Sequence, residues 1–215
     1  MSKAIAVLGI GRFGKRLALS LSEMGAEVMV VDANTEVLDK MSKYVTYAIE
    51  ADLKDADSLK GIGLENMDVV VVAMGSDLTA SIMSVMASKE IGVPYVLAKA
   101  ADERMGDILI KVGADKVIFP EEETGVRTAR KLMSDSFLEF FEIDEKICIL
   151  EMKPKKEWVG KSLIELNMRE KYHANVVSLR EGTELKTFID PKQPLKEENE
   201  LLILVAKEDL KRFNK

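Results

Sequence analysis

In the first half of the chain, short apolar runs alternate with stretches whose apolar residues recur at helical spacing. The apolar runs cover residues 4–9, 27–32, 46–51, 69–73, 95–98 and 116–119. Between them, residues 13–24, 35–42, 55–61, 77–90 and 102–112 carry the helical pattern. Strand and helix in strict alternation predict an α/β fold, a Rossmann-like doubly wound parallel sheet with helices on both faces. Val69-Val-Val-Val72 is apolar on both faces, as a central strand must be. Gly25, Gly92 and Gly113 each follow a helical run, where a positive φ ends a helix.

The pattern changes after Phe119. Pro120 and three acids precede Thr124, which reads as an N-cap. Val126, Ala129, Leu132, Met133, Phe137, Phe140 and Phe141 then follow at helical spacing, predicting a helix over 124–141. Its broad stripe and two terminal phenylalanines would be costly if exposed. The helix either covers the sheet or crosses onto a second subunit. Beyond it the spacing predicts strands at 146–152, 175–180, 185–188 and 201–206 and helices at 162–166 and 208–213. Gly182, Pro191 and Pro194 mark turns. The expected organisation is therefore a nucleotide-binding domain over 1–122, a linking helix over 123–142 and a small α+β domain over 143–215.

Composition narrows the class. At 215 residues the chain suits one large or two small domains. Its net charge of −6 comes without a basic stripe, so nucleic acid is not an expected partner. Cys148 is the only cysteine, which leaves no internal disulfide and reads as a small buried hydrophobe. No run approaches the ~20 apolar residues that span a bilayer. The first strand starts too early to leave room for a signal peptide. A cytoplasmic location is the expectation, with docking on a membrane protein left open.

Candidate chemistry centres on Gly9-Ile10-Gly11-Arg12-Phe13-Gly14, directly after the first apolar run. Gly9 permits a tight turn, Gly11 lets the backbone approach a pyrophosphate, and Gly14 lets the next helix pack on the strand. Phosphates would then sit at the helix N-terminus, where unpaired N–H groups favour negative charge. Asp32 closes the second run ~20 residues on, where a carboxylate accepts hydrogen bonds from ribose hydroxyls. That carboxylate disfavours a 2′-phosphate, hence NADP. Other residues at strand ends join the candidate site: Asp52 and Leu53, then Ala73, Met74 and Gly75, then Lys99 and Glu121. Asp52 either bonds the adenine amino group or caps the following helix. Asp77 reads as a helix cap. Arg12 lies inside the phosphate loop, where a guanidinium can clamp terminal phosphates of ATP or ADP. Glu121 reads either as a solvated acid or as a ligand for Mg²⁺ or Ca²⁺ bridging it to phosphates.

These residues resemble those of the RCK proteins, regulators of potassium transport of the Trk and Ktr type. The glycine motif, Asp32, Ala98-Lys99-Ala100, Gly113-Ala114-Asp115 and Pro120-Glu121 match the family's nucleotide domain. Trp158-Val-Gly160-Lys-Ser-Leu163, continuing through Leu166 and Arg169, matches its C-terminal domain. Ala51-Asp52-Leu53-Lys54 departs from the family's Gly- and Thr-containing turn. The resemblance implies a homodimer with a crossover helix, assembled into tetramer or octamer rings beneath an integral membrane potassium transporter. Bound ATP, ADP or NAD(H) would gate ion flux, with Arg12 sensing the terminal phosphate and Glu121 helping to hold a cation between subunits. Some relatives bind cyclic di-AMP in the C-terminal domain, and Ile164, Arg169, His173 and Asn175 lie near the positions used there.

The rival class is an NAD-dependent oxidoreductase, which needs a proton donor or acceptor beside the nicotinamide. The single histidine, His173, is far along the chain from the glycines. Tyr95 and Lys99 have the spacing of a dehydrogenase pair, but they sit in a strand pattern, where four residues separate side chains by ~13 Å. A transcriptional redox sensor is disfavoured by the missing helix-turn-helix. The expectation is a ligand sensor without catalysis.

Overall fold

The computed structural model describes residues 2–132 and 137–213. Two compact units divide the chain, residues 1–122 and residues 123–215. In the first, strands β1 (Ala4–Leu8), β2 (Glu27–Asp32), β3 (Tyr47–Glu50), β4 (Val69–Val72), β5 (Tyr95–Lys99) and β6 (Lys116–Ile118) form one sheet. Their order is β3-β2-β1-β4-β5-β6, and every pairing is parallel. Helices α1 (Arg12–Glu23), α2 (Thr35–Met41), α3 (Ala56–Leu59), α4 (Leu78–Ile91) and α5 (Glu103–Lys111) make the crossovers.

The apolar runs of β1, β2 and β4 lie where both faces are covered. Ala6, Leu8, Val70 and Val72 face one core, whereas Val7, Val28 and Val30 face the other, and all are fully buried. Helix starts are chemically specified: Asn34, Asp55, Asp77 and Asp102 each accept a backbone N–H of the following first turn. Helix α4 buries Ser81, Ser84 and Ser88 completely. Their hydroxyls donate to the carbonyls of Met74 and Asp77, of Leu53, and of Ser84 respectively. Strand order reverses between β1 and β4, so their carboxyl ends open a crevice above the sheet.

The second unit holds an antiparallel sheet of order β10-β9-β11-β8-β7. Its strands are β7 (Phe137–Glu142), β8 (Ile147–Met152), β9 (Ala174–Glu181), β10 (Glu184–Lys186) and β11 (Glu200–Ala206). One face is capped by short helices, with Trp158, Leu150, Met152, Leu201, Ile203 and Phe213 in its core. Cys148 is fully buried in β8, as a small hydrophobe.

The helix expected over 124–141 is corrected at both ends. Helix α6 runs Pro120–Leu132, so it begins at the proline itself and carries Glu121, Glu122 and Glu123 in its first turn. Proline's fixed φ suits a first helical position, and acids are favoured at the positive end of the dipole. Met133 lies outside the described residues. Residues Phe137–Glu142 are strand, paired antiparallel with β8. Phe140 is 9% exposed and its neighbour Phe141 is 49% exposed, a period of two rather than 3.6. Without β7, β8 would present an unpaired edge. Val126, Ala129 and Leu132 are exposed on α6. The second unit also has helices α7 (Leu163–Leu166) and α8 (Met168–Tyr172) where one was expected. Asn167 divides them at φ +48, a left-handed conformation that asparagine tolerates. Residues 207–212 form a 3₁₀ helix where 208–213 was expected.

Candidate functional site

The glycine motif builds one wall of a cleft of about 680 Å³ at the carboxyl ends of β1, β2, β4 and β5. Gly9 has φ +89, and a Cβ there would lie 2.5 Å from the Met74 side chain. A Cβ on Gly14 would lie 2.1 Å from the Gly9 carbonyl oxygen, so only glycine lets α1 start so close to β1. Gly11 is the N-cap of α1 and offers no side-chain oxygen to the first turn. A Cβ there would meet nothing within 4 Å. The helix N-terminus therefore presents uncapped N–H donors to open space, the arrangement that binds phosphate oxygens.

Asp32 has a role that the motif alone did not show. Its Oδ2 accepts the N–H of Ile10 at 2.6 Å and its Oδ1 accepts the N–H of Asn34 at 2.9 Å. The carboxylate thus ties the glycine loop to the end of β2 while lining the cleft. Each oxygen keeps a second lone-pair direction for a ligand hydroxyl.

Two cations and three carboxylates line the cleft: Arg12 and Lys99, with Asp32, Asp77 and Glu121. Lys99, at the end of β5, bonds Glu121 at 2.5 Å in the first turn of α6. The Lys99 hydrogen bond holds the Glu121 carboxyl below the usual glutamate range, and the charges of Lys99 and Arg12 add to this. Asp77 is likewise held low, first by the N–H of Ala80 and then by Lys54, whose ammonium lies 2.9 Å away.

Of the expected site residues, Gly9, Gly11, Arg12, Phe13, Asp32, Ala73, Met74, Gly75, Lys99 and Glu121 line this cleft together. Ile10, Gly14, Asp52 and Leu53 are not among its lining residues. Asp52 accepts the N–H of Lys54 and is exposed, while Leu53 is buried beneath α4. Ser76, Asp77 and Ala101 line the cleft although the motif did not single them out. Their position just beyond β4 and β5 was the available signal. Tyr95 and Lys99 are the two ends of strand β5, which keeps them apart as the spacing argument requires.

Glu121 reads from the sequence either as a solvated acid or as a ligand for Mg²⁺ or Ca²⁺. Among the described residues no three His, Cys, Asp or Glu side chains converge as a metal site. The Glu121 carboxylate is paired with Lys99, and a divalent cation held by that one carboxylate would take its other oxygens from phosphates and water. A second cleft, of about 410 Å³, lies in the second unit. Ile164, Arg169 and Asn175 line it together with Asn167, Met168 and Pro191. His173 does not; its Nδ1 lies 3.3 Å from Asp209. No helix among the described residues is long and apolar enough to cross a membrane.

Comparison with known proteins extends this geometry. A family model described as the TrkA-N domain matches residues 5–120, and one described as the TrkA-C domain matches residues 149–215. The chain is 33% identical over 215 residues to the Ktr system potassium uptake protein C of Bacillus subtilis, covering 100% of this chain and 97% of that protein. It is 32% identical over 207 residues to the Ktr system potassium uptake protein A of Vibrio alginolyticus, covering 96% and 94%. Among solved structures, the GsuK channel superposes over 100% of this chain and 39% of its own, with a TM-score of 0.69 and 16% identity. The TrkA-N domain of the Escherichia coli inner membrane protein ybaL matches 62% of this chain and 98% of its own, with a TM-score of 0.54 and 15% identity. At such identities the two structures speak to fold.

Proposed function

Because the chain belongs to the TrkA/Ktr family of potassium uptake proteins, we propose that it is a nucleotide-sensing regulatory subunit of a membrane potassium transporter. The observation that carries the sensing role is the cleft itself. An uncapped helix N-terminus, a glycine at its rim and two cations face one space, with Asp32 beside them. Adenine nucleotides are the ligands this chemistry fits. Asp32 would hold the ribose hydroxyls, the first turn of α1 the inner phosphates, and Arg12 the terminal phosphate. ATP and ADP differ by one phosphate, so discrimination falls to the groups that reach it.

The proposed working form is a cytoplasmic homo-oligomeric ring docked on its transporter, built from dimers to which the exposed face of α6 contributes. Nucleotides bias the ring only as far as they bind one arrangement more tightly than another. The second cleft, with Arg169 and Asn175, is a further ligand site of this assembly, and cyclic di-AMP is the compound to test there. Catalysis has no part in this reading. A proton donor beside a nicotinamide would be needed for hydride transfer, and none of the described residues that line the cleft is a histidine.

Calorimetry with ATP, ADP and NADH tests the proposal. Binding of adenine nucleotides without turnover, and an ATP/ADP affinity ratio that narrows in Arg12→Ala, is the expected result. Steady oxidation of NADH by small carbonyl substrates would replace the sensor with an oxidoreductase. Failure to co-purify with an integral potassium translocator would remove the transporter assignment.

A further inference from the structure

We propose that Lys99 is an exchangeable cation: Glu121 neutralises it until a terminal phosphate competes for it, so Glu121 acts as a built-in rival of the ligand. The inference deepens the nucleotide reading above and rests on it.

The two partners are unequal. The Lys99 side chain is 12% exposed and that of Glu121 is 70% exposed. A cation on a largely buried side chain gains from an anionic partner, whereas an exposed carboxylate returns to water at little cost. Lys99 is also held in place by its surroundings. Its stem fills the space beside Gly75, where a Cβ would lie 2.9 Å from Cε, and its ammonium lies 5.6 Å from the centroid of the Phe13 ring. Phe13 belongs to the first turn of α1, so the ammonium stands beside the helix N-terminus that would hold phosphates. The cation is therefore positioned and its partner is displaceable.

The charges around the cleft give the exchange its sense. Asp77 is already paired with Lys54, and Asp32 is bonded to two backbone N–H groups. Arg12 and Lys99 line the cleft with Glu121, an exposed acid bonded directly to Lys99. A polyphosphate arriving at α1 meets Lys99 neutralised and Glu121 repulsive. Once Lys99 turns to the phosphate, Glu121 loses its partner and moves to solvent. Adenosine carries no phosphate and competes for nothing here.

A double-mutant cycle in magnesium-free buffer with EDTA tests this, with ATP, ADP and adenosine titrated into wild type, Glu121→Gln, Lys99→Met and the double variant. Melting curves of each confirm folding. The expected result is that Glu121→Gln binds ATP about three- to tenfold more tightly, since it removes the rival. Lys99→Met should weaken ATP at least tenfold and erase most of that gain in the double variant. Adenosine affinity should stay constant throughout. Simple repulsion by Glu121 predicts instead an equal or larger gain without Lys99, and that outcome overturns the exchange while leaving nucleotide binding intact. Wild type that binds no adenine nucleotide takes down both readings. Should Lys99→Met fail to fold, Lys99→Gln replaces it in the same cycle.

Discussion

Gly11 and Gly14 stand one helical turn apart in α1 and its cap, yet they answer to different demands. A methyl group at Gly14 would run into the Gly9 carbonyl, so Gly14→Ala must push α1 from β1. We expect it to destabilise the protein by about 1–3 kcal/mol, the usual cost of overpacking, seen as a lower urea midpoint. A methyl group at Gly11 has empty space before it, and its φ of −71 suits alanine. Gly11→Ala should therefore leave the melting temperature of the unliganded protein nearly unchanged while weakening ATP tenfold or more, because it fills the room a phosphate needs. Equal ATP affinity in Gly11→Ala and wild type would separate the glycine loop from phosphate binding. Asp32 divides along the same line. Asp32→Asn keeps an acceptor for one loop N–H, so it should retain more stability than Asp32→Ala while both weaken every adenine nucleotide.

At the scale of elements, the segment from Pro120 to Glu142 is the most instructive. Its apolar residues fit a helical period on paper, and the first part does form α6. The later part pairs with β8 instead, because hydrogen bonds to a strand edge and a place for Phe140 in the second core outweigh helical spacing. The strand makes a measurable claim. Phe140→Ala should cost about 3 kcal/mol in chemical denaturation, as for a buried aromatic. Phe141→Ala, on the opposite face, should cost under about 1 kcal/mol. Comparable losses at both positions would contradict a two-residue period here.

For the whole molecule, acid sensitivity follows from carboxylates that folding holds ionised. Asp115 accepts the N–H of Val96 at 2.7 Å and pairs with Lys89 at 3.0 Å, and the first of these contributes most to keeping its carboxyl below the usual range. Asp77, Glu121, Asp144 and Glu165 are lowered in the same direction by backbone or side-chain donors. A depressed folded-state value means that the stabilisation is complete above the ordinary carboxylate value of about 4 and disappears as pH falls through the lower folded value. The urea midpoint should therefore fall steeply on acidification below about pH 4. Asp115→Asn should lower the midpoint at pH 7 and make that fall shallower; an unchanged slope would exclude Asp115 from the acid transition.

The alternation of apolar runs and helical stretches was enough to specify the parallel sheet, because the composition of the central strands β1, β2 and β4 already marks them as buried on both faces. The glycine motif and Asp32 were legible for a similar reason: tight turns and close approaches restrict residue type at the position itself. Tertiary structure alone decided that Phe137–Glu142 would be a strand, since the choice depended on the free edge of β8, which comes later in the chain. It alone joined Lys99 to Glu121 across 22 residues. It also assigned Asp32 to holding the Ile10 N–H and kept Asp52 out of the cleft lining. Those outcomes depend on distances between strand ends, which crossover packing sets and no local pattern encodes.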